Sequence, residues 1–140
     1  MEPFEANLPR DLHRLRALRR DLAAWLDRTG VQRDERDAIV LAVHEAAANA
    51  IQHAGSQVTV RGARDEDKVI VVVSNSGRWS GGKPEAEIDR GRGLTIMRGL
   101  MSHLDVARMP DQTTIRMRLD LDAGEEDERR NGDDPARIAC

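Results

Sequence analysis

Residues 44–54 read His44-Glu45-Ala46-Ala47-Ala48-Asn49-Ala50-Ile51-Gln52-His53-Ala54, and the spacing within this stretch decides how the rest of the chain is read. Glu45, Asn49 and His53 recur every four residues. On an α-helix they line one face, about 6 Å apart per step. Between them stand four alanines, one isoleucine and Gln52, so the polar stripe has a floor of mostly small residues where a ligand can approach the helix. A carboxylate and an amide one turn apart hold a hydrated cation or orient a hydroxyl for proton removal. The competing reading of that spacing alone is a solvated Glu and Asn on an ordinary amphipathic helix.

Working outward, the helix is expected from near Asp34 to Gly55, burying Ile39, Val40, Val43, Ala46, Ala47, Ala50 and Ile51. An earlier helix is expected to open at Pro9, a residue suited to a first helical turn, and to stop at Gly30. Its apolar stripe is Leu12, Leu15, Leu18, Leu22, Trp25 and Leu26, while Arg14, Arg16, Arg19, Arg20 and Asp21 mark a solvated face or a partner-docking surface. Before it, Glu2–Leu8 reads as extended. Downstream, Val58 and Val60 alternate with polar residues, and Val69–Val73 is a continuous β-branched run suited to a central strand. Asn75–Arg90 is a loop rich in Gly, Ser and charge. Gly93–His103 reads as a helix, and Asp105–Met109 with Thr113–Leu119 as a closing hairpin turning at Pro110-Asp111. The implied fold class is α+β: a two-layer sandwich with a mixed, mostly antiparallel sheet and helices on one face.

The chain has 140 residues, enough for one domain. Aromatics make up 2% of it, so the core must be aliphatic, and a base-stacking platform for nucleic acid is excluded. Residues 121–140 hold seven acids against three arginines, a net of −4 out of the chain's −3. Residues 1–120 therefore carry +1, too little for direct DNA binding. The division expected is a domain over 1–120 and a disordered acidic tail over 121–140. Cys140 is the single cysteine, which fits a reducing cytoplasm, and no apolar run has transmembrane length.

Asn75-Ser76-Gly77 ends the most hydrophobic strand, and Gly91-Arg92-Gly93-Leu94 opens the next helix. Glycine permits close backbone approach, and a helix N-terminus offers N–H groups to an anion. A lone G-x-G is as well explained by a plain turn. In the order Asn-bearing helix, glycine after a strand, glycine pair opening a helix, the three elements together point to a nucleotide site.

These residues resemble the GHKL (Bergerat-fold) ATPase superfamily and, within it, the compact anti-sigma-factor serine/threonine kinases. The match is Glu45, Asn49, Ala50 and His53 for an E-x-x-x-N-A-x-x-H box, Gly91–Leu94 for a G-R-G-L box, and Thr113-Thr114-Ile115-Arg116-Met117 for a T-T-φ-x-φ strand. It covers roughly residues 4–119. The resemblance implies that Asn49 binds Mg²⁺ bridging the ATP phosphates and that Glu45 is the general base for a protein serine or threonine. It also implies that Gly91, Arg92, Gly93 and Leu94 wrap the phosphates and that Thr113 or Thr114 holds the adenine edge. His53 has a structural role at the helix end.

The chain departs from the family pattern at the adenine-reading aspartate, where it has Asn75, two residues before Gly77. Trp79 stands where the box's second glycine falls. An amide accepts through its oxygen, but its NH₂ needs an acceptor of its own, so weaker or less selective nucleotide binding is expected, by about 1–3 kcal/mol. The function implied is an anti-sigma factor and ATP-dependent kinase that binds an RNA polymerase sigma factor and phosphorylates a STAS-type antagonist, as a cytoplasmic protein able to form a homodimer. The alternative is a non-catalytic partner-binding module of the same fold with weak or lost ATP binding.

Overall fold

The computed structural model describes residues 2–53, 57–76 and 93–122. Strand β1 (Phe4–Leu8) buries Phe4 and Leu8 and turns Glu5 and Asn7 outward. The chain does not enter a helix at Pro9 as expected. Asp11 stays extended and its carboxylate accepts the His13 N–H at 2.9 Å, capping a 3₁₀ turn over Leu12–Arg14. Helix α1 (Leu15–Arg28) begins only after that turn. A short carboxylate side chain competes successfully for the backbone here, and Leu12 consequently falls off the buried stripe and stands exposed. The remaining stripe holds as read: Leu15, Leu18, Leu22, Trp25 and Leu26 are all buried.

Gly30 ends α1 with φ of 82°, the left-handed conformation that lets Val31 N–H reach Leu26 C=O at 3.0 Å and Gly30 N–H reach Asp27 C=O at 3.1 Å. This is the Schellman arrangement, and Val31 buries itself as its apolar partner. Helix α2 (Arg33–His53) then packs antiparallel on α1 across Ile39, Ala42, Val43, Ala46, Ala47, Ala50 and Ile51. Arg10 donates to the Ile51 carbonyl at 3.1 Å, supplying a cation to the C-terminal turn of α2.

Five strands form one sheet in the order β1-β2-β3-β5-β4, with β2 at Val58–Arg64, β3 at Lys68–Ser76, β4 at His103–Met109 and β5 at Gln112–Asp120. The mixed character expected of the sheet is absent from the described strands, whose pairings are all antiparallel. The α1–α2 pair carries the chain back beside β1 in the reverse direction, so no parallel crossover is needed. Strand β3 lies centrally, with Val69, Val71 and Val73 buried under the helices and Ile70 and Val72 half-buried on the far face. That double burial explains its unbroken apolar run.

Helix α3 (Gly93–Leu100) is shorter than the expected Gly93–His103. Ser102 stops it by pairing with β5 instead: its N–H donates to Arg118 C=O at 2.8 Å and its Oγ accepts Asp120 N–H at 2.9 Å. The core between sheet and helices is Leu, Val, Ile, Ala and Met, with Trp25 and Phe4 in tilted contact at one end, ring centroids 5.7 Å apart and planes at 46°. Beyond β5, Asp122 N–H donates to Glu35 Oε2 at 2.9 Å, tying the strand's exit to the start of α2. Most of the acidic tail lies outside the described residues, as do the loop residues Gly77, Trp79, Gly91 and Arg92.

Candidate nucleotide site

Four stretches far apart in sequence come together on the helix-covered face. Helix α2 supplies Glu45 and Asn49. The first turn of α3 supplies Gly93 and Leu94. The adjacent strand ends of β3 and β5 supply Asn75 and Thr113, directly paired across the ladder. All four elements pack in a fixed order, so the juxtaposition follows from the topology.

Gly93 shows how close α2 and α3 approach. A methyl added there would overlap Asn49 Nδ2 and would lie 3.5 Å from Glu45 Oε1. The backbone at the head of α3 therefore lies directly against the Glu45–Asn49 stripe, and only a residue without Cβ leaves the asparagine in place. Leu94 is buried, as is Met97 one turn on, so their side chains anchor α3 while the N–H groups of its first turn remain the part suited to a phosphate.

Asn49 and Asn75 are 9% and 4% exposed, and the Nδ2 atom of each is buried with no hydrogen-bond partner among the described residues. A buried donor left unpaired costs about 1–3 kcal/mol. Both are donors that acceptor atoms of a ligand, such as phosphate oxygens or a purine edge, would satisfy. Glu45 is half-buried and has no hydrogen-bond or ion-pair partner among the described residues.

Register decides between the two threonines. Thr113 lies opposite Asn75 and is 2% exposed, while Thr114 lies opposite Ser74 on the other face of the sheet. Side chains alternate along a strand, so of the two residues expected at the adenine edge Thr113 shares the helix-covered face with Asn75 and Thr114 lies on the opposite face. His53 is the last residue of α2, and its side chain lies outside the described residues, as do Gly77, Gly91 and Arg92.

The residues fit a magnesium-bound nucleotide. No group of three or more His, Cys, Asp or Glu side chains capable of caging a metal occurs among the described residues. A cation here would take oxygen from Asn49 and the remainder from phosphates and water, which is how Mg²⁺ is commonly held.

One contact went unread in the sequence. Arg19 Nη1 on α1 lies 3.0 Å from His44 Nδ1 on α2, one residue before Glu45. Arginine only donates, so Nδ1 accepts and the imidazole is neutral with its proton on Nε2. Desolvation by burial, followed by the charge of Arg19, lowers the His44 pKa from 6.5, against the opposing pull of Glu45. The unfolded chain thus takes the proton more readily than the native one. The stabilisation is present above about pH 6.5 and is lost as pH falls through the lower native value. The melting temperature of the wild type should fall below that of His44→Gln, relative to their difference at pH 7.5, as pH drops from 6.5 to 5. Parallel curves would show that the pair is not linked to stability.

The comparisons with known proteins agree with this geometry. The family model for the histidine kinase-like ATPase domain matches residues 8–119. No curated protein matches the sequence. Among solved structures, the chain is similar to the RsbU and RsbW domains of Rv1364c from Mycobacterium tuberculosis, with a TM-score of 0.71 and 22% identity over 86% of this chain. It spans 33% of that longer chain. It is also similar to a chain of the SiaB–SiaC complex from Pseudomonas aeruginosa, with a TM-score of 0.59 and 16% identity over 84% of this chain and 89% of that one. At these identities the likeness is one of fold. With an Asn-bearing helix, a glycine-headed helix packed against it and a match over most of its length, the chain belongs to the histidine kinase-like ATPase domain family.

Proposed function

We propose that this protein is a partner-switching anti-sigma factor and serine/threonine kinase of the GHKL type: it binds a sigma factor and, using ATP, phosphorylates a STAS-type antagonist. The observation that carries this reading is the fit of Gly93 against Asn49 and Glu45, which sets a phosphate-suited helix start beside a metal-suited amide and an unpaired carboxylate. One of the two structural neighbours carries an RsbW domain and the other was solved as a complex with a partner protein, which suits a role in protein switching.

In this mechanism Glu45 accepts the proton of the substrate hydroxyl as its oxygen bonds to the γ-phosphorus. The bond from that phosphorus to the β,γ-bridging oxygen breaks, and ADP leaves. The α3 N–H groups would hold the phosphates, and Asn49 Oδ1 would hold a Mg²⁺ ion that supplies neutralisation of their charge when bound.

The near-neutral body argues against direct DNA contact. No helix among the described residues is long and apolar enough to cross a membrane. We place the protein in the cytoplasm, with residues 121–140 as a solubilising acidic tail beyond a domain over 1–120.

Asn75 favours a second reading, a partner-binding module that has lost tight nucleotide binding. Melting with and without Mg-ATP separates the two. A nucleotide at 100 times its Kd should stabilise the native state by about 2.7 kcal/mol. Labelled phosphate should then pass from ATP to a STAS-type antagonist. A shift without transfer selects the module with a live pocket, and no shift with any purine nucleotide removes the kinase reading.

A further inference from the structure

Asn75 is the second-last residue of the central strand and lies on its helix-covered face. Its ladder neighbours are Val58 on one side and Thr113 on the other, and along its own face it follows Val73. Val58, Val73 and Ile115 are all buried, so Thr113 is the polar side chain in an otherwise aliphatic surround. Within that surround, Asn75 Nδ2 is buried and unpaired, and the side chain as a whole is 4% exposed. The group offered inward is therefore a hydrogen-bond donor.

A carboxylate at this position would be an acceptor only. It would accept a hydrogen bond from a 6-amino group and repel a 6-carbonyl. An amide with nitrogen inward has the reverse preference: Nδ2 donates to a carbonyl at C6, and Oδ1 accepts from the N1–H beside it. Hypoxanthine and guanine present that pair of groups on one edge. Adenine presents the opposite pair, an amino group at C6 and an acceptor at N1, and meets this amide only if it turns over.

On the reading of the cleft as a purine nucleotide site, which this inference deepens, we propose that Asn75 makes it a site for 6-oxopurine nucleoside triphosphates. They are held at least as tightly as ATP. The phosphate machinery at Asn49 and Gly93 is unaffected, because it contacts the other end of the nucleotide.

Calorimetric titration of the full chain with Mg-ITP, Mg-GTP and Mg-ATP tests this. Inosine is the cleanest probe, since it differs from adenosine at the 6-position without adding a 2-amino group. Wild type should bind ITP with a Kd equal to or below that of ATP. Asn75→Asp should reverse the order and favour ATP by about tenfold or more, as expected when a buried polar pair is mismatched. If that variant does not fold, Asn75→Ala, which removes the donor without adding charge, should lower the ITP-to-ATP affinity ratio by about fivefold or more. ATP binding tighter than both ITP and GTP in wild type overturns the proposal and leaves the nucleotide site standing. An unchanged ratio in the variant also overturns it. Absence of heat with all three overturns this proposal and the nucleotide reading together.

Discussion

Glu45→Gln should reduce phosphate transfer to a STAS-type antagonist by about 10²–10⁴-fold, the range expected for removing a positioned general base. Nucleotide affinity should change by less than about threefold. The substitution preserves volume and planarity, and Glu45 has no partner among the described residues, so the amide forfeits no structural hydrogen bond. What it forfeits is the ability to take a proton at neutral pH. Its neighbour across the cleft is the Gly93 backbone, against which the amide packs as the carboxylate does. Single-turnover transfer together with the calorimetric Kd separates chemistry from occupancy. A variant that transfers phosphate within about threefold of wild type would remove Glu45 from the base role. A variant that loses binding and transfer together would recast it as part of the nucleotide wall.

The framework that holds Glu45 was largely legible in the sequence, because its signals are periodic. The three- and four-residue steps from Leu15 to Leu26 and from Ile39 to Ile51 predict two amphipathic helices, and both form. The run Val69–Val73 predicts a strand covered on both faces, and β3 is central with both faces at least half-buried. Errors gathered where a local contact outbids a pattern. Asp11 capping its own 3₁₀ turn delayed α1 by six residues past Pro9, and Ser102 pairing with β5 cut α3 short.

Parity and distance set the other limits. Thr113 and Thr114 are adjacent in sequence, and only the ladder register shows which faces Asn75. Arg19 and His44 are 25 residues apart, with no motif linking them. The unpaired amide nitrogens of Asn49 and Asn75 are likewise a property of packing, since the sequence shows an asparagine but not which of its atoms is buried. The motif therefore names the candidate residues, and the topology shows which of their atoms are buried and which face each shares.

Gly93→Ala should cost stability by about 1–3 kcal/mol, as expected for overpacking, and should abolish the thermal shift given by Mg-nucleotide. On propensity alone the sign would be opposite. Alanine in place of glycine in a helix stabilises by roughly 0.5–1 kcal/mol, and Gly93 is not among the residues with positive φ. The added methyl, however, overlaps Asn49 Nδ2, and Asn49 is 9% exposed on a packed helix. Either the amide rotates out of its place or the head of α3 lifts away from α2, and each outcome separates the phosphate-suited backbone from its metal-suited partner. Gly99 in the same helix provides the control, since a Cβ there meets nothing within 4 Å. Gly99→Ala should raise stability and leave the nucleotide shift intact. Asn49→Ser removes the obstructing nitrogen, so adding it to Gly93→Ala should recover most of the lost stability without restoring nucleotide binding, a non-additivity that a double-mutant cycle measures. If Gly93→Ala instead stabilises the protein as Gly99→Ala does, the two helices do not meet at this point, and the site described around Glu45 and Asn49 is not assembled.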